Sequence, residues 1–126
     1  MVQTDISQLS AETAEWRQIL RNYRDEFTES KKVLQDTCRQ DLSKEHLPDV
    51  EHLQNQLHIQ LINIHDLKQQ IKLHDRKVEF EKSKGDQISE DVFAEHEKLL
   101  DEFLTLEHTL QELRAEFKEF ISAISC

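Results

Sequence analysis

Three stretches of the chain place apolar or small residues at alternating steps of three and four. That spacing keeps one stripe of a helix turned toward its neighbours. The first stripe is Ile6, Leu9, Thr13, Trp16, Leu20, Tyr23, Phe27, Ser30, Leu34 and Thr37, widened by Ile19 and Val33. The second is Val50, Leu53, Leu57, Gln60, Ile64, Leu67, Ile71, His74 and Val78, with Leu61 beside it. The third is Val92, His96, Leu99, Phe103, Leu106, Leu110, Leu113, Phe117, Phe120 and Ile124, widened by Phe93, Leu100 and Ile121. The pattern predicts helices over about residues 5–41, 48–83 and 89–124.

Local signals set these ends. Thr4 or Asp5 suits the N-cap of the first helix. Residues 42–48 break the period, and Pro48 disfavours helix at Leu47 while suiting the first turn of a new helix. Gly85, the single glycine, stands where a left-handed C-cap is wanted. Ser89 then caps the third helix, with Glu90 and Asp91 in its first turn. Three helices of similar length joined by short turns must alternate in direction. The expected fold is therefore all-α: an antiparallel three-helix bundle of long, coiled-coil-like helices forming one domain over residues 1–126.

The middle helix has a second stripe. At 100° per residue, Ile59, Ile62, Leu73 and Phe80 fall opposite the main stripe, among His52, Asp66 and Lys77. A monomeric bundle has no use for four apolar residues on that line. A homodimer through this face is expected, with a helix of another protein as the alternative occupant.

Composition narrows the function. One glycine and one proline in 126 residues do not suit a turn-rich β or α/β protein. The net charge of −10 comes without an evident basic stripe, which argues against nucleic acid and against an anionic membrane surface. No apolar run is long enough to span a bilayer, and the first residues lack the pattern of a signal peptide. With two cysteines and no CxxC motif, a cytoplasmic location with free thiols is the expectation. Cys38 and Cys126 fall near the same end of the bundle, within reach of each other.

Folding the three stripes back on one another places residues in layers. Trp16, His74 and His96 fall at one level, a polar layer suited to fixing register. Imidazoles titrate near neutrality, so the same layer is a candidate pH sensor that loosens the bundle on acidification. Ser30 and Gln60 fall at another level, near Leu113, where Gln60 is placed to hydrogen-bond Ser30 across the core.

Seven histidines raise the question of a metal. A di-iron bundle needs inward carboxylates and Glu-x-x-His pairs on two helices. The second helix offers only Asp49-x-x-His52 and the third has no such pair. His58 and His65 lack inward carboxylates, and His108 with Glu112 points outward. No metal and no cofactor is expected. Neither a nucleophilic triad nor a glycine-rich phosphate loop is present.

Three resemblances accompany these readings. The long three-helix plan is similar in shape to a spectrin-type repeat, with Trp16 early in the first helix. Glu51-His52-Leu53-Gln54-Asn55-Gln56, Ile64-His65-Asp66-Leu67-Lys68 and Ile71-Lys72-Leu73-His74 resemble a segment of small, uncharacterised all-helical bacterial proteins. His65-Asp66-Leu67-Lys68 resembles the phosphoacceptor box of histidine phosphotransfer domains, which implies His65 as phosphoacceptor and Lys68 as its cationic companion. The chain departs from that box at Gln69, Gln70 and Ile71, where those domains carry glycine and other small residues. The reading that follows is a non-enzymatic helical interaction or scaffolding module, with His65 phosphotransfer as the alternative.

Overall fold

The computed structural model describes residues 6–38, 45–85 and 87–124. It contains α1 (Ile6–Cys38), α2 (Leu47–Lys84) and α3 (Glu90–Ile124). Helix direction is fixed by contacts between them. On α1 and α3, Glu12 meets His96 and Glu26 meets Arg114, so these helices run parallel. On α2 and α3, His74 meets His96 while His52 meets Glu116, so these run antiparallel. The all-α, three-helix bundle expected from the periodicity is the observed fold.

All nine residues of the main α2 stripe are buried, from Val50 to Val78. On α1, Ile6 through Leu34 are buried at the expected positions, with Leu20 and Leu34 fully enclosed. The third stripe is deepest in its middle. His96, Leu99, Phe103, Leu110 and Leu113 are buried, whereas Leu106, Phe117, Phe120 and Ile124 are only partly so. One large cluster runs from Trp16 to Leu113, and a smaller one joins Ile6, Leu9, Val78 and Ile88 near the α2–α3 turn. Each fully buried leucine or isoleucine contributes about 1.5–3 kcal/mol through the water-exposed area it removes.

The helix ends hold one correction. Gly85 is not in the left-handed conformation expected of it. Its backbone is extended (φ 160°, ψ −176°), and its N–H donates to the Lys82 carbonyl at 3.3 Å. A Cβ there would meet nothing within 4 Å, so the turn does not depend on glycine. Glu81 ties the turn instead. Its Oε1 accepts from the Ser89 N–H at 2.9 Å and from the Ser89 hydroxyl at 2.7 Å. Those two bonds hold the Glu81 carboxyl below its ordinary pKa, the backbone bond more strongly. Ser89 caps α3 as expected, its Oγ accepting from the Val92 N–H at 3.2 Å. Ile88, an isolated apolar residue in a polar turn, is drawn inward as a plug. At the other end, α2 begins at Leu47, one residue before Pro48. The expected N-cap at Thr4 or Asp5 and the end of the first helix near Asp41 lie outside the described residues.

Candidate functional site

Two features of α2 stand out, one on its outer face and one in the core. On the outer face, Ile59, Ile62, Leu73 and Phe80 are exposed, at 37%, 48%, 55% and 60% of their full surface. They fall on one line because the inward stripe leaves only the opposite side of the helix free. The line covers about 32 Å at 1.5 Å per residue. Beside Phe80, α2 and α3 enclose an open groove of about 510 Å³, lined by Arg76, Lys77, Phe80, Glu81, Ser89, Asp91, Val92 and Glu95. The Lys84 ammonium sits 4.4 Å from the Phe80 ring centre, a cation–π contact that leaves the ring unburied.

In the core, the structure brings Trp16, His74 and His96 together as one layer. The Trp16 and His96 ring centres are 4.8 Å apart, and Trp16 also stacks on Phe103 at 5.8 Å. His74 Nε2 lies 3.0 Å from His96 Nδ1. Two carboxylates that the periodicity did not reveal complete the row. Glu95 Oε1 is 3.0 Å from His74 Nδ1, and Glu12 Oε2 is 2.9 Å from His96 Nε2. Lys77 Nζ donates to the other Glu95 oxygen at 2.8 Å. The row thus crosses all three helices. Glu12 and Glu95 flank the stripes, each one residue before a polar core position, Thr13 and His96. That adjacency was the available signal.

The electrostatics follow from this geometry. Burial pushes the His74 imidazole below its ordinary pKa, and the hydrogen bond to Glu95 opposes it only in part. Burial also works against ionising Glu95, but the bonds from Lys77 and His74 outweigh it and hold that carboxyl below its usual value. One turn away, the Thr13 hydroxyl donates to Asp75 Oδ1, and Arg17 approaches the other Asp75 oxygen at 3.4 Å. Further along, Arg114 donates twice to Glu26, at 2.7 and 2.8 Å, and lies over the Tyr23 ring. The Glu26 pair raises the Arg114 pKa above its ordinary value.

The Ser30–Gln60 level departs from expectation. Both residues are buried, but they do not bond across the core. The Ser30 hydroxyl donates to the Glu26 carbonyl at 3.0 Å, and Gln60 Oε1 accepts from Asn63 at 3.1 Å. Each finds a partner in its own helix, which is always within reach of such side chains.

His65 is open to solvent, with Nδ1 3.4 Å from Asp66. Lys68, three residues on, turns toward the α1 seam, where burial and then the charges of Arg24, Arg21 and Arg17 lower its pKa. His52 pairs with Glu116 at 3.0 Å and His108 with Glu112 at 2.8 Å. Among the described residues, no group of three or more His, Cys, Asp or Glu side chains is arranged to hold a metal ion. No helix among them is long and apolar enough to cross a membrane. A Cys38–Cys126 pairing rests on side chains outside the described residues. Comparison with known protein families, with curated proteins and with solved structures finds no match to the chain.

Proposed function

We propose that this protein is a helical interaction module that pairs with a second copy of itself through the outer face of α2. The observation that carries the reading is the exposed line Ile59, Ile62, Leu73 and Phe80. Its spacing is close to palindromic. The pair Ile62 and Leu73 is centred between residues 67 and 68, and the pair Ile59 and Phe80 between residues 69 and 70. An antiparallel α2–α2 contact about a twofold axis midway between these centres brings Ile62 near Leu73 and Ile59 near Phe80, each offset by about 3 Å along the helix, four apolar contacts from one surface. A twofold interface needs such self-complementarity, whereas a hetero-partner does not. The groove beside Phe80 gives the partner's side chains a place to enter. The role implied is assembly or scaffolding rather than catalysis.

The register is testable by cross-linking. In a Cys38→Ser/Cys126→Ser background, Gln69→Cys places two thiols at the axis. Mild oxidation then yields a covalent dimer, while Lys32→Cys on α1 does not. Equal cross-linking at both positions, or none at position 69, contradicts the twofold α2 contact.

A further inference from the structure

The Glu95–His74–His96–Glu12 row has a hydrogen count that its geometry dictates. Three links of 3.0, 3.0 and 2.9 Å join the four side chains. Each link needs one hydrogen between its two heavy atoms. Both ends of the row are carboxylates, which when ionised only accept, and two neutral imidazoles supply two N–H groups. One link therefore lacks a hydrogen unless the row takes up one more proton. Two more do not fit, because two imidazolium rings set His74 Nε2–H against His96 Nδ1–H across 3.0 Å.

Charge leads to the same number. The groups facing the pair are Glu12 and Arg17 from α1, Asp75 and Lys77 from α2, and Glu95 from α3. Three carboxylates against two cations leave the cluster one positive charge short of balance. The two rings at its centre are buried, and a net charge around buried groups is costly.

We infer that this row is a buried binding site for a single proton, held by the two rings as three N–H groups and one bare nitrogen. The rings hold it rather than the carboxylates because imidazole is more basic than a carboxylate by about two pH units. Solvent reaches the site through the carboxylates, each about one-third exposed. Burial favours the neutral form of His74. That ring then donates from Nδ1 to Glu95 and accepts at Nε2, and His96 donates from both nitrogens. Losing the proton leaves a ring lone pair facing a carboxylate. Gaining a second breaks the link between the rings. The row therefore resists both changes and locks the register of all three helices only in its singly protonated form.

The test is the nitrogen spectrum of the full chain carrying ¹⁵N-labelled histidine side chains, recorded at pH 6. The buried pair is expected to show three protonated nitrogens and one bare one. Two protonated nitrogens, or four, overturn the inference. Glu12→Gln sharpens it. Gln8 already donates to Glu12 Oε1 at 3.1 Å, so an amide at position 12 keeps its oxygen there and turns its NH₂ to His96. All three links are then satisfied with two ring N–H groups, and the count falls from three to two at the same pH. A count that stays at three in this variant contradicts the role given to the carboxylate ends.

Discussion

The two faces of α2 carry apolar stripes with opposite fates. The inward stripe is nine residues long and wholly buried, with His74 and Gln60 as its polar members. The outward stripe is four residues long, and every member is exposed. The helix is the same length on both sides and the chemistry of the side chains is similar, so the difference lies in what has been brought against them. The inward stripe is satisfied by α1 and α3, and its removal costs the fold. The outward stripe contributes little to a single copy, and its removal costs only what binds there.

The largest effect expected from breaking this comparison is on the inward side. Ile64 and Ile62 differ by two positions and lie on opposite faces. Ile64→Ala is expected to cost about 2–5 kcal/mol, the usual range for a fully enclosed aliphatic side chain. Ile62→Ala is expected to change the stability of the single copy by about 0.5 kcal/mol or less. Urea unfolding at protein concentrations low enough to keep copies apart distinguishes them, and equal losses break the two-face account.

Next in size is the polar layer. His74→Ala leaves Glu95 and His96 each one bond short, at a cost of about 2–4 kcal/mol. The wild-type layer also weakens in acid. Because burial holds the folded His74 below its ordinary value of 6.5, the unfolded chain takes up that proton first. The share of stability that comes from keeping His74 neutral is present above pH 6.5 and declines as pH falls toward the folded value. Glu95, held below 4.5, adds a further loss in the acid range below that figure. The urea midpoint is expected to drop steadily from pH 6.5 to 5. A midpoint that holds level or rises over that interval would exclude His74 as the sensor.

Gln60 is the contrasting polar member. Its bond stays within α2, so no other helix is left unsatisfied by its loss. Gln60→Leu is expected to shift stability by about 1 kcal/mol or less, in either direction. A loss as large as that of His74→Ala would show that Gln60 joins helices after all.

How much of this was legible from the residues follows from what periodicity encodes. A heptad stripe specifies which face is inward and, once helices are folded back, which residues share a level. It placed all nine α2 core residues, the exposed line opposite them, and Trp16 beside His74 and His96. It does not specify which polar atoms meet. Glu12 and Glu95 sit at the stripe edges, where long side chains reach inward, and a stripe does not record that reach. Ser30 and Gln60 share a level but bond locally, because a partner in the same helix needs no reach across the core. Gly85 went astray for a related reason. Composition marks a turn, but the Glu81–Ser89 bonds decide its shape.

The smallest expected effect concerns salt. Each copy carries a net charge of −10, so the two copies of a twofold pair repel one another at long range. Raising ionic strength from 0.05 to about 0.5 M shortens the screening length and is expected to strengthen self-association slightly. A basic hetero-partner on the same face would instead bind more weakly as salt rises.

The two-face account is tested most directly by the mass of the pure protein in sedimentation equilibrium. It predicts a species near twice 15.0 kDa, and a return to the single-chain mass when Ile59→Asp and Leu73→Asp are introduced together without loss of helix content. A wild-type chain that stays at its single mass at tens of micromolar, or a double variant that still pairs, contradicts it.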